Sequence, residues 1–142
     1  MKRTILAGSV ITFALFSIVI FFSLLQKPTE TDYRLARGRA QLYTENYLAA
    51  LQTLRDIPES QKTGVEAHSY LGAAYLKLHL YKAAIKEFQE ASKQASRQSD
   101  PWIGLASSYI QLGDLQKAVD SAKRATDVET RSSDACRSIA AH

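Results

Sequence analysis

The feature that most constrains this chain is a period. Tyr47-x-x-Ala50-Leu51 returns as Tyr81-x-x-Ala84-Ile85 and again as Leu115-x-x-Ala118-Val119, 34 residues further on each time. Other columns keep the register without insertion or deletion. Gly38, Gly72 and Ala106 are all small, and Leu42, Leu76 and Ile110 are all aliphatic. Leu54, Phe88 and Ala122 align, as do Ile57, Ala91 and Ala125. Self-similarity at a fixed spacing of this size implies a stack of units, each burying its apolar face against the next.

Each unit reads as a pair of helices. In the middle unit Leu71, Gly72, Ala74, Tyr75 and Leu78 form one helical stripe, and Ala84, Ile85, Phe88 and Ala91 form a second. The turn between them falls near 77–80. The third unit is punctuated by Asp100-Pro101, an N-cap followed by proline at the first helical position. Gly113-Asp114 ends one helix and caps the next. Pro58 stops the second helix of the first unit. No segment sustains the period-2 alternation of a strand.

The small columns have a packing reason. Antiparallel helices in a tight hairpin approach to about 8–10 Å. Gly72 and Ala84 let the backbones close in, with Tyr75, Tyr81 and Phe88 filling the space around them. A bulky residue at Ala50, Ala84 or Ala118 is expected to overpack the hairpin by about 1–3 kcal/mol.

Ahead of the repeats, Lys2 and Arg3 precede an uncharged run from Thr4 to Leu25. As a helix this run spans roughly 33 Å, enough for a hydrocarbon core of about 30 Å. It is longer than a signal-peptide core, lacks a small-x-small site near Ser23–Lys27, and is followed by no cysteine. An uncleaved single-pass anchor over 1–26, contacting the bilayer through 4–25, is therefore expected; a long cleaved signal peptide is the alternative. The positive pair at the start favours a cytoplasmic N-terminus with the repeats on the outer side, periplasmic in a bacterium. Lys27, Arg34, Arg37 and Arg39 pull toward the opposite orientation, with the repeats cytoplasmic.

The net charge of +4 owes two units to Lys2 and Arg3, and the remaining basic residues nearly balance 14 acidic ones. No Lys/Arg run interleaved with aromatics is present, so nucleic-acid binding is not expected. His68, His79 and His142 are isolated, and neither phosphate loop, nucleophile elbow nor acid pair occurs. No enzyme chemistry, cofactor or metal is expected. His68 occupies the column of Trp102 and reads as a packing residue. Cys136, the single cysteine, can form no intramolecular disulfide and reads as an inert thiol. Lys82, Lys86, Glu87, Glu90 and Lys93 have the spacing of a solvated helix surface.

The sequence Trp102-x-x-Leu105-Ala106-x-x-Tyr109, followed by Gly113, Ala118 and Ala125, resembles the tetratricopeptide repeat (TPR) family, with Ala106 in place of glycine. Leu71-Gly72-x-x-Tyr75, Ala84, Phe88 and Ala91 match in the middle unit. The first unit keeps Gly38, Tyr47 and Ala50 but has Arg37 in an apolar column and Gln41 in the tyrosine column. The resemblance covers about 31–132. It implies an all-α fold: a transmembrane helix, a linker at 27–31, and a right-handed α-solenoid over 32–132. The solenoid has units at about 31–64, 65–98 and 99–132. A short helix over 133–142 would be a cap or a truncated fourth repeat.

The resemblance also implies a concave groove lined by the first helix of each unit. Its expected lining is Arg39, Leu42 and Tyr43, then Ser69, Tyr70, Ala73 and Lys77, then Ser107 and Gln111, with Leu35, Leu76, Ile103 and Ile110 beside them. The mixture of cations, tyrosines and aliphatics suits a peptide with apolar anchors and an acidic residue near Arg39 or Lys77. The columns that hold the chaperone-tail carboxylate clamp in one TPR subfamily carry Leu35 and Arg39, Ser69 and Ala73, Ile103 and Ser107, so that clamp is absent. The expected function is a membrane-tethered adaptor binding a protein or peptide in envelope assembly or quality control. The alternatives are a structural subunit of a membrane complex, with self-association through the C-terminal end of the stack, or a secreted soluble binder.

Overall fold

The computed structural model describes residues 28–140 apart from 63 and 96, with side chains to Ser133. The described residues form six α-helices and no strand: α1 (Glu30–Tyr43), α2 (Tyr47–Arg55), α3 (Val65–Lys77), α4 (Tyr81–Gln94), α5 (Asp100–Leu112) and α6 (Leu115–Ala140). A 3₁₀ turn, Glu59–Gln61, links α2 to α3. Paired as α1–α2, α3–α4 and α5–α6, they fit a TPR-type solenoid. The apolar run at 4–25 lies outside the described residues. Among the described residues no helix is long and apolar enough to cross a membrane.

The same backbone device closes all three hairpins. Glu45, His79 and Gly113 occupy one column and all have left-handed φ, at 60°, 61° and 80°. In each turn the next residue donates its N–H to the carbonyl five residues back, Asn46 to Gln41, Leu80 to Tyr75 and Asp114 to Tyr109, at 2.9–3.0 Å. The left-handed residue itself donates to Leu42, Leu76 or Ile110. These paired bonds satisfy the last carbonyls of the first helix. The chain then re-enters a helix at once. Asn46 Oδ1 accepts from Ala49 N, and Asp114 Oδ1 accepts from Lys117 N.

The expected small columns are buried. Ala50 and Ala84 are fully buried and Ala118 is 5% exposed, so one site recurs in every unit. The glycines show what they admit. A Cβ on Gly38 would stand 2.5 Å from Leu54 of the paired helix, and one on Gly72 would stand 2.8 Å from Phe88. The Phe88 ring also lies against Gly104 of the next unit, closer than a real Cβ would tolerate. A single aromatic ring is therefore held between two glycines on two different helices. Two apolar clusters follow: Leu54, Ile57 and Leu71 in one, Ala84, Phe88 and Leu105 in the other, with Tyr75 packed against both.

Three expectations change. The helix of the third unit starts from Ser99, not Asp100, because the Ser99 carbonyl accepts from Trp102 N and Ile103 N. Asp100 instead sits in the first turn, ahead of the buried Pro101. The segment from 133 is no separate short helix, since α6 runs unbroken from Leu115 to Ala140. No glycine or proline occurs in that stretch to end it. At the other end α1 opens at Glu30, so the last two residues of the expected linker at 27–31 are helical.

Two stability changes follow from this packing. Gly104→Ala is expected to cost about 1–3 kcal/mol by overpacking Phe88. Combining it with Phe88→Leu should give less than the sum of the two single losses, because both act on one contact. Urea titration of the four proteins reads this coupling. At the hairpin turn, Glu45→Gly should raise stability by about 0.5–1 kcal/mol, since glycine accepts positive φ without the Cβ clash; thermal melting followed by circular dichroism measures it.

Candidate functional site

The face formed by α1, α3 and α5 carries the residues expected to bind a partner. Leu35, Arg39 and Tyr70 meet there across the α1–α3 junction. Together with Asp32, Ala36 and Glu66 they line a shallow cleft of about 210 Å³. The repeat places them together: Leu35 and Arg39 are one turn apart on α1, and Tyr70 projects from α3 onto the Leu54 cluster. Tyr70 is thus anchored by packing while its cleft side stays accessible. Asp32 and Glu66 share this cleft with the Arg39 guanidinium, so the site has mixed charge.

The other expected residues divide by what they touch. Tyr43, at the end of α1, is 82% exposed and available to a partner. Lys77 is exposed in the last turn of α3. Leu42, Ser69 and Ser107 are half-buried. Ala73 packs against the Phe88 cluster and works as core. Gln111 is exposed, but its Oε1 accepts from the Tyr81 hydroxyl of α4 at 3.4 Å. The small cleft gathers Arg39 and Tyr70 alone of the nine residues expected; the rest are distributed along the face outside it.

His68 proves to be more than a packing residue. It is buried, with Nδ1 2.9 Å from a carboxylate oxygen of Glu87 on α4. Glu87 is itself only 20% exposed, so it leaves the solvated face to which its spacing assigned it.

Among the described residues three lysines pair with carboxylates one turn away: Lys62–Glu59, Lys93–Glu90 and Lys117–Asp114, at 3.1, 2.6 and 2.6 Å. In each, a hydrogen bond from the lysine ammonium holds the carboxyl partner below its usual pKa range. Such carboxylates favour the folded chain at neutral pH, and that preference fades as acid protonates them. All three carboxylates reach solvent, and water screens the pairs to a weak contribution. Among the described residues no group of three His, Cys, Asp or Glu side chains could hold a metal ion.

Residues 99–130 match the tetratricopeptide repeat family. The matched segment comprises α5 and the facing part of α6, and thus contains both Gly104 and the Trp102 motif. No curated protein matches the chain. A tetratricopeptide repeat points to a role in protein–protein interaction.

The division of the α1–α3–α5 face into core and accessible residues can be measured. Tyr43→Ala should leave stability within about 0.5 kcal/mol, as for a surface position. Tyr70→Ala should cost about 2 kcal/mol or more by removing an aromatic from the Leu54 cluster. Chemical denaturation of the two variants separates them.

Proposed function

We propose that this protein is a membrane-tethered adaptor whose repeat stack binds a protein or peptide partner on the face of α1, α3 and α5. The observation that carries the reading is the cleft between two adjacent units, where Arg39 stands beside an anchored Tyr70. A peptide laid there would rest an apolar side chain on Leu35 and Tyr70 and present a carboxylate to Arg39. Asp32 and Glu66 would disfavour strongly acidic segments, giving selectivity for a mixed sequence. Tyr43 and Lys77 extend the contact surface along the helices.

The tether rests on the uncharged run from Thr4 to Leu25 and its flanking Lys2 and Arg3. An anchor confines binding to the membrane surface and raises the partner's effective concentration, so modest affinity suffices. Orientation with the repeats outside follows from the positive pair ahead of the run. Envelope assembly or quality control is the setting this arrangement suits. The stack is assigned no catalytic role.

A second reading, a structural subunit of a larger membrane assembly, is favoured by a different observation. Ile110, Leu115 and Val119 on the outer face of α5–α6 are 55%, 66% and 49% exposed. Leu76, Tyr81 and Ile85, in the same columns one unit earlier, are half-buried. Association through this face, with a second copy or a larger complex, would cover them.

Site-specific photocrosslinking from Tyr43 in cells, with and without Arg39→Glu plus Lys77→Glu, tests the adaptor reading. Capture of a defined partner, lost in the double variant while its circular dichroism is unchanged, is the expected result. Undiminished capture by the double variant would remove the cleft from the binding site. Carbonate extraction and the N-terminal mass distinguish an anchored chain from a cleaved, secreted one.

A further inference from the structure

A second groove lies between α4, α5 and α6, away from the residues assigned above. It has a volume of about 380 Å³. Its apolar floor is Trp102, Leu105 and Tyr109. Arg124 stacks over the Trp102 ring with its guanidinium carbon 5.0 Å from the centroid, and Lys117 stands 5.6 Å from the centre of Tyr109. Lys93 completes a rim of three cations, against which the lining holds one carboxylate, Asp120.

The repeat supplies an internal comparison. Moving each lining residue back by 34 gives the corresponding positions one unit earlier. There Lys93 becomes Glu59, Arg124 becomes Glu90, Ser121 becomes Glu87, Asp120 becomes Lys86 and Trp102 becomes His68. Lys117 becomes neutral Ala83 and Gln89 becomes Arg55, so three cations and one carboxylate (+2) stand where the earlier set has two cations and three carboxylates (−1). The earlier position is also closed from within, because His68 and Glu87 bond to each other at 2.9 Å. The later groove has no such closing bond: serine faces tryptophan in place of glutamate facing histidine. The backbone repeats in α3–α4 and α5, but α2 ends at Arg55 where α4 runs on to Gln94, so Glu59 stands on the 3₁₀ turn; the two lining sets nonetheless carry net charge of opposite sign.

We infer that the groove between α4, α5 and α6 is a second binding site, taking an acidic peptide segment that carries an aliphatic or aromatic side chain. Arg124 has no ion pair among the described residues, and its planar donors remain able to hold a carboxylate in two-point fashion while it stays stacked on Trp102. Lys93 and Lys117 are held by Glu90 and Asp114, but these are exposed pairs between neighbouring turns and exchange for a ligand carboxylate at little cost. The side chain beside that carboxylate packs on Leu105 and the edges of the two rings. Nucleic acid fits less well. Cations already cover one face of each aromatic ring, which hinders base stacking, and the Asp120 carboxylate in the lining repels phosphate.

Trp102 is the only tryptophan in the chain, so its emission reports on the groove directly. The test titrates the full chain, in mild nonionic detergent, with a fluorescein-labelled Glu/Leu/Phe peptide free of tryptophan. Peptide anisotropy is read in parallel with Trp102 emission. The expected result is a saturable change in both signals that weakens with added salt. Arg124→Glu and Lys93→Glu should each lower affinity about tenfold, with circular dichroism unchanged. Arg39→Glu should leave affinity where it was. No saturable response, equal binding of the Lys/Leu/Phe counterpart, tighter binding of a thymidine oligonucleotide, or indifference to Arg124→Glu would each overturn the inference. Loss of binding with Arg39→Glu instead of Arg124→Glu would place the acidic peptide in the α1–α3 cleft, leaving the adaptor reading intact and this second site refuted.

Discussion

The structure depends on the Phe88 ring being held between Gly72 and Gly104. Gly72 belongs to the helix paired with its own, and Gly104 belongs to the next unit. One side chain therefore fixes both the spacing within a hairpin and the spacing between hairpins. In close-packed interiors such a contact leaves no slack, since a shift of one methyl is felt by every neighbour. Leu54 does the corresponding work one unit earlier, pressed on Gly38 and packed with Leu71. In the third unit that column holds Ala122, which is exposed. The outer face of α5–α6 thus offers no knob for the same mode of stacking, and the aliphatic residues around it remain uncovered.

A scaffold fixed by so few contacts leaves the remaining columns free to diverge. Position 68 of one unit and position 102 of the next share a backbone environment. Histidine there is buried and bonded to Glu87; tryptophan there forms the floor of an open groove beneath Arg124. The difference lies in side chains, whereas α3 and α5 and the turns that follow them repeat. This is how a repeat fold acquires sites without altering its architecture, and why the fold alone does not specify a ligand.

Much of the architecture was legible in the sequence because burial follows the period. Ala50, Ala84 and Ala118 are equivalent in the chain and equivalently buried in space. What the period could not express was contact across units. Gly104 aligns with Ala36 and Tyr70, so no column marks it as special; only the ring arriving from α4 requires glycine there. The left-handed turn was visible at Gly113 and hidden at Glu45 and His79, where hydrogen bonds to the helix end impose a backbone that the side chain does not favour. The unbroken α6 was masked by the repeat itself, because a boundary at 132 looks natural until one notes that no residue there breaks a helix. At the candidate site, the cleft pairing of Arg39 with Tyr70 follows from the register. The mixed charge brought by Asp32 and Glu66 does not, since it depends on how the first turns of α1 and α3 face one another.

Both clefts are built across a junction between neighbouring units. The first joins α1 to α3, and the second joins α4 to α5 and α6. In a linear stack, stability is the sum of unit terms and nearest-neighbour interface terms. A ligand spanning a junction adds its binding free energy to the interface term and to nothing else. The middle unit contributes to both junctions, through Tyr70 in one and α4 in the other. Its packing, centred on Phe88, therefore sets how well formed either surface is before a partner arrives. Overpacking or truncating that centre would loosen both clefts without replacing a lining residue of either, whereas a change at Arg39 or Arg124 acts on one cleft and leaves the stack intact.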